Sequence, residues 1–142
     1  MAGTRYVIKG GVEGRERLRL LSEVMGPSTR GLLAEVGIPS GSACLDVGCG
    51  GGDVSFEFAR AVGPSGRVLG VDRDQTKVEI ARREAEEMGL SNVTFEARDV
   101  TTWESGEPFD IVYGRFILTH LANPAALVAT MFAWGLTGAV FL

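Results

Sequence analysis

Apolar residues in the first quarter of the chain recur at helical intervals, and from residue 42 they give way to short apolar runs alternating with helical stretches. Val12 to Met25 carries Leu18, Leu21 and Met25 on one stripe, and Pro27 predicts the end of that helix. Ser28 can cap a second helix containing Leu32, Leu33 and Val36, closed by Gly37 and Pro39. Ala43 to Val47 is short and apolar, as a strand buried on both faces should be. A glycine-rich turn leads into a predicted helix from about Asp53 to Val62, with Val54, Phe58 and Val62 on one face, and Gly63-Pro64-Ser65-Gly66 turns the chain again.

The alternation continues. Arg67 to Asp72 reads as a second strand, followed by a helix capped by Asp74, carrying Val78, Ala81, Ala85 and Met88 and stopping at Gly89. Val93 to Ala97 and Phe109 to Tyr113 read as further strands, with Gly106 and Pro108 in the loop between them. Asn123-Pro124 starts another helix, and Ala139 to Leu142 is expected to begin a fifth strand. Strands alternating with helices predict an α/β fold built on a parallel sheet.

Composition narrows the class. With 142 residues, 45% hydrophobic and 23% charged, one globular domain is expected. A net charge of -4, a pI near 5.0 and no Lys/Arg run argue against nucleic acid or an anionic membrane as partner and favour a small molecule, neutral or cationic. Two cysteines, Cys44 and Cys49, frame neither a metal site nor a disulfide scaffold, so a reducing cytoplasm is expected. The stretch MAGTRYVIKGGVEGRERLRL lacks the apolar core of a secretion signal. PAALVATMFAWGLTGAVFL is 19 mostly apolar residues, enough to consider a membrane span, but Pro124, Gly135 and Gly138 favour helix, turn and buried strand.

Candidate chemistry concentrates at Leu45-Asp46-Val47-Gly48-Cys49-Gly50-Gly51-Gly52-Asp53. Glycines between a strand and a helix let backbone N–H groups approach a ligand closely; the other reading is a tight turn and no more. A dinucleotide GxGxxG starting at Gly48 would need glycine at position 53, which is Asp53. An aspartate there would also repel a diphosphate at the helix N-terminus.

Asp46-x-Gly48-x-Gly50-x-Gly52 resembles the first motif of the class I methyltransferases that use S-adenosylmethionine (SAM), an acid followed by three alternate glycines. SAM carries cationic sulfonium and ammonium groups and no phosphate. Asp72, 20 residues beyond Gly52, ends the second strand where a carboxylate can accept from both ribose hydroxyls, a feature shared with NAD sites; it can equally be a turn carboxylate. Glu96-Ala97-Arg98-Asp99-Val100 resembles the family's adenine motif, which gives Asp99 the adenine amino group and the Val100 N–H a ring nitrogen; a solvated loop acid is the alternative. Phe109 to Leu121 resembles the family's FDxVxxxxxLxHL segment, which implies that Gly114, Arg115 and Phe116 line the methionine end; Arg115 can instead face solvent or pair with Asp46.

The expected cofactor set is therefore Asp46, Gly48, Cys49, Gly50, Gly52, Asp72, Arg73, Arg98, Asp99, Val100, Gly114, Arg115 and Phe116, with no metal. His120, the single histidine, is tempting as a general base but lies on the flank of Ile117, Leu118 and Leu121, which favours packing or capping. No catalytic residue is assigned. Tyr6, Gly10-Gly11 and Arg15 to Leu21 resemble the N-terminal cap that folds over the cofactor in many small-molecule methyltransferases, with a disordered tail as the alternative.

The resemblance runs from about Tyr6 to Met131 and implies a Rossmann-like sheet with helices on both faces. The division expected is a helical cap over 1–41 and a SAM-binding core over 42–142. The family's sheet usually has seven strands, so this chain is expected to be a fragment or to end abnormally at about the fifth, leaving an apolar edge that promotes a homo-oligomer. The implied activity is methyl transfer from SAM to a small molecule, releasing S-adenosylhomocysteine. A non-catalytic SAM-binding module and, third, an NAD(P)-dependent oxidoreductase are the alternatives.

Overall fold

The computed structural model describes residues 11–141, so Tyr6 and Gly10 lie outside the described residues. A long helix α1 (Gly11–Val36) precedes β1 (Ala43–Val47), α2 (Asp53–Val62), β2 (Arg67–Asp72), α3 (Gln75–Glu87), β3 (Val93–Ala97) and β4 (Phe109–Gly114). A short 3-10 turn at Leu118–His120 then leads to α4 (Pro124–Trp134) and β5 (Gly135–Phe141).

All strand pairs are parallel and the order is β3-β2-β1-β4-β5. The order reverses at β1: connections run outward to β2 and β3 on one side, then jump across to β4 and β5. Helices cover both faces. Phe58 and Val62 of α2, Val78 and Ala81 of α3 and Leu33 of α1 pack with Cys44, Val68 and Phe95 of the sheet. Leu127, Met131 and Trp134 of α4 pack on the other face with Leu45, Val47 and Val112. This is the Rossmann-like α/β arrangement expected.

Local chemistry explains most boundaries. Asp74 accepts from the Lys77 N–H at 3.2 Å and caps α3, and Asn123 accepts from the Ala126 N–H at 3.1 Å and caps α4 with Pro124 behind it. Gly89, at φ +69°, takes the left-handed turn after α3. Asp110 accepts from the Ala43 N–H at 2.8 Å, tying the start of β4 to that of β1.

Two expectations are corrected. Pro27 does not divide the first helix, and Ser28 is not a cap: α1 runs through both. A proline inside a helix costs roughly 3 kcal/mol through its missing N–H and ring clash. Tertiary anchors beyond it offset that cost: Leu33 is buried in the core, Arg115 donates to Thr29 Oγ1 at 2.7 Å, and Arg30 reaches Glu57 at 3.5 Å. At the other end, Gly135-Leu136-Thr137-Gly138 is not a turn but the first part of β5, whose pairing with β4 shifts register between Phe109 and Ile111. Among the described residues no helix is long and apolar enough to cross a membrane; the apolar tail is spent on α4 and β5.

Candidate functional site

In an open parallel sheet, ligands lie beyond the carboxyl ends of the strands where the strand order reverses. A cavity of about 880 Å³ opens at that place, walled by the loops after β1, β2, β3 and β4, by α1 and by the start of α4. Every residue of the expected cofactor set lines it except Gly52 and Gly114. Gly52, at φ +88°, precedes α2, and a Cβ there would meet the Phe95 ring at 2.7 Å. Gly114 pairs with Val47 at the end of β4, behind the cavity wall.

The glycine loop does not work as the sequence suggests. Four of its amides are turned into the protein: the Gly48 and Cys49 N–H groups donate to Val71 O at 2.8 and 2.9 Å, Gly50 donates to Asp72 Oδ2 at 2.9 Å, and Gly52 to Cys49 O at 3.0 Å. With four of its N–H groups spent inside the protein and the Asp46 carboxyl lining the cavity, the loop suits a cationic ligand better than a phosphate. Two of the glycines are explained by α1 instead. A Cβ on Gly50 would lie 2.7 Å from Leu18 Cδ1, and one on Gly51 would lie 2.0 Å from Arg15 Nε.

Arg15 also changes the meaning of Asp53. It is 3% exposed, forks onto Asp53 with Nη1 to Oδ2 at 2.9 Å and Nη2 to Oδ1 at 3.0 Å, and reaches Glu84 Oε2 at 2.8 Å. Arg19 joins Glu84 as well. The Asp53 charge is thus compensated within the protein and no longer argues against a diphosphate; the glycine spacing and the inward amides still do. The apolar spacing of α1 could not reveal a buried arginine.

Three strand-end carboxylates face the cavity. Asp46 is buried, and burial pushes its carboxyl up to about 6 although the Ser55 hydroxyl, donating at 2.7 Å, and the Arg115 charge pull the other way. Asp72 holds Gly50 with Oδ2 and the Asp74 N–H with Oδ1 at 2.9 Å, so it fixes the loop while each oxygen keeps a lone pair. Asp99 accepts from the Thr101 hydroxyl at 2.6 Å and from its N–H at 2.9 Å, which holds its carboxyl below the usual range.

Val100 is buried against the α4 side, and Arg98 donates Nε–H to Glu96 at 2.9 Å. Arg115 does not face solvent freely; it bridges β4 to Thr29 of α1, and its charge acts on Asp46. Phe116 is the single non-glycine residue with positive φ, +59°, among the described residues, and it is half exposed.

Leu118–His120 forms a 3-10 turn rather than part of an α-helical stripe, since Leu118 is exposed and the chain turns extended at Leu121. His120 ends this turn and lines the cavity. Leu18 and Leu21, in the stretch expected to cap the cofactor, line the cavity too, and sequence reasoning missed Lys77 as a lining residue. Lys77 had a legible signal, since it stands one turn before Ala81 on the buried face of α3.

A family model described as a methyltransferase domain matches residues 38–141. The chain belongs to this methyltransferase domain family. It is 35% identical over 114 residues to aklanonic acid methyltransferase DauC of Streptomyces sp. (strain C5), covering 78% of this chain and 51% of that one. It is 33% identical over 103 residues to a ubiquinone biosynthesis O-methyltransferase of Methylobacterium sp. (strain 4-46), covering 72% and 40%. Among solved structures, coclaurine N-methyltransferase bound to N-methylheliamine and SAH aligns with a TM-score of 0.74 at 25% identity, over 80% of this chain and 34% of that one.

The chain spans about half or less of the length of these relatives. The glycine loop, Asp72, Asp99 and the segment after β4 all fall within the region matched to the family. Helix α1, with Arg15, Leu18 and Leu21, precedes it.

Proposed function

We propose that this domain binds SAM in the cavity at the reversal of strand order and transfers its methyl group to a small-molecule acceptor, releasing S-adenosylhomocysteine. The observation that carries it is the convergence of the Asp46-x-Gly48-x-Gly50-x-Gly52 loop with Asp72 and Asp99, at the ends of three neighbouring strands, on one cavity of about 880 Å³. The donor set fits: carboxylates and loop carbonyls suit ribose hydroxyls, an adenine amino group and an ammonium group. The cofactor-binding set proposed is the one read from the sequence, with Gly52 and Gly114 acting through backbone shape.

When bound, SAM supplies a methyl carbon already activated by a sulfonium. The protein's task is to hold the acceptor in line with that carbon and to exclude water. Leu18 and Leu21 of α1 would cover the loop, Phe116, Ile117 and Leu121 would give an apolar wall for the acceptor, and His120 stands where a leaving proton can be taken.

Titration calorimetry with SAM, S-adenosylhomocysteine and NAD tests the binding half; NAD binding without SAM binding would overturn it. Transfer of a radiolabelled methyl group into a metabolite pool, with Asp72→Ala as control, tests the catalytic half. Tight SAM binding without transfer would make the domain a binding module. The same proposal includes a helical cap over 1–41 with the core over 42–142, a cytoplasmic location, and self-association through the C-terminal segment. Exposed Phe132, Leu136 and Val140 on α4 and the edge strand β5 support that last point, and a clean monomer in sedimentation at micromolar concentration would remove it.

A further inference from the structure

Ser55 is the one polar residue among the buried residues of α2; the others, Val54, Phe56, Phe58, Ala59 and Val62, are apolar. It is 0% exposed, and a hydroxyl in such a place costs free energy unless it finds an acceptor. A helical serine commonly turns back on the backbone of its own helix. Ser55 instead crosses to the sheet and donates to Asp46 Oδ2 at 2.7 Å. Asp46 is buried as well, its second oxygen meets no donor among the described residues, and its carboxyl lines the cavity. One oxygen is thus held from behind while the other is left for a ligand.

The groups around this carboxyl fix the sign of what it can take. Arg115, after β4, is the cation acting on it, while Asp72 at the end of β2 and Asp53 at the start of α2 add negative charge. Asp53 is compensated by Arg15 of α1. Cys49 in the loop and Tyr113 of β4 are held up by burial and stay neutral near pH 7. Lys77 of α3 shares the cavity with Asp74 3.8 Å from its Nζ, α4 carries no charged side chain, and His120 stands just before it. Arg115 is directed elsewhere: Nη1 donates to Thr29 Oγ1 at 2.7 Å and the guanidinium lies 5.5 Å from the Phe116 ring centre. The amino-acid end of the proposed cofactor carries an ammonium and a carboxylate, and the cavity offers it one carboxylate and one guanidinium.

Resting on the function proposed above, we infer that Ser55 is a positioning residue, whose hydroxyl orients Asp46 and favours its ionised form so that the free oxygen receives the cofactor's ammonium group. A hydrogen bond donated to a carboxylate is stronger than one donated to the neutral acid, so it favours the charged form. Burial works against that form and pushes the Asp46 carboxyl up to about 6 even with the hydroxyl in place. Without Ser55 the carboxyl would rise further, and the ammonium would meet a neutral acid.

Titration calorimetry from pH 5 to pH 8 tests this with two ligands, S-adenosylhomocysteine, which bears the ammonium, and 5′-methylthioadenosine, which lacks it. Between pH 7 and pH 5 the unaltered protein should lose about tenfold in affinity for S-adenosylhomocysteine, as Asp46 takes up its proton, and change little for methylthioadenosine. Ser55→Ala should move that loss upward by about one pH unit, which leaves it about fivefold weaker than the unaltered protein at pH 6 and nearly equal at pH 8. Ser55→Thr, which keeps a hydroxyl, should restore the original midpoint.

A flat profile for S-adenosylhomocysteine on the unaltered protein overturns the role of Ser55 and leaves the proposed function standing. So does an unmoved midpoint in Ser55→Ala, which would put the titration on another group such as His120. An equal loss for methylthioadenosine, the mark of a loop merely loosened, overturns it too. Failure of the unaltered protein to bind S-adenosylhomocysteine at all overturns both. If Ser55→Ala does not fold, Ser55→Cys, whose thiol is a weak donor, carries the same expected rise in midpoint.

Discussion

Arg15 and Asp53 form a two-pronged ion pair, 2.9 and 3.0 Å, that joins the first helix to the helix following the glycine loop. The pair lies over Gly51 and is extended by Glu84 of α3, so one guanidinium holds three helices together on one face of the sheet.

Arg15→Ala is expected to destabilise the fold by about 3 kcal/mol, because it leaves two carboxylates, 24% and 15% exposed, facing each other without a cation. Arg15→Lys should recover only part of this, since a point charge cannot reproduce the fork. Urea unfolding of the three proteins measures it; an unchanged midpoint for Arg15→Ala would show that the network contributes nothing.

Gly51→Ala places a methyl group 2.0 Å from Arg15 Nε, and the arginine is pinned too firmly to step aside. A loss of about 1–3 kcal/mol is expected, as for an overpacked core. In the Arg15→Ala background the same change should be much milder, so the double mutant reads as strongly non-additive. Simple additivity would separate the glycine from the arginine.

Asp46 gives the stability a distinctive pH dependence. Its native carboxyl titrates at about 6, against an ordinary value of 3.8, because burial disfavours its charge. Between those values the native state holds a proton that the unfolded state has released, so this group's contribution falls as pH rises and is fully lost above about 6. Relative to Asp46→Asn, the unaltered protein should lose up to about 3 kcal/mol between pH 4 and pH 7. Parallel pH–stability curves for the two proteins would refute it.

Asp72→Asn turns an NH2 group toward one of two backbone donors, the Gly50 or the Asp74 N–H. A loss of about 1–3 kcal/mol is expected from the unpaired amide. SAM affinity should fall at least about tenfold as the loop slackens and a ribose acceptor is lost. Calorimetry alongside thermal unfolding distinguishes the two, and a destabilised protein with full affinity would restrict Asp72 to supporting the loop.

The sequence was most legible where local signals and tertiary structure agree. β1 to β3, α2 and α3 begin and end at their turn glycines, Asp74 and Asp72, and the alternate-glycine spacing located the cavity. Pro27 misled because its penalty is local while Leu33, Arg30 and Thr29 find their partners far along the chain. Gly135 to Gly138 misled for the opposite reason: glycines usually break a pattern, yet pairing with β4 draws them into a strand. The direction of the loop amides and the partner of Asp53 were invisible, since each depends on a residue brought in by the fold, Val71 in one case and Arg15 in the other.

The two free cysteines gain a use from their surroundings. Burial pushes the Cys44 thiol up to about 12, and burial with the Asp46 and Asp72 charges keeps Cys49 well above its ordinary value, so both thiols are slow toward alkylating reagents, but Cys44 is buried while Cys49 is partly exposed and lines the cavity. Cys49 sits in the glycine loop itself and Cys44 in the central strand. The rate at which a maleimide labels each thiol therefore becomes a gauge, the first reporting how far the cavity beside the loop is filled and the second the rarer events in which the whole sheet comes apart.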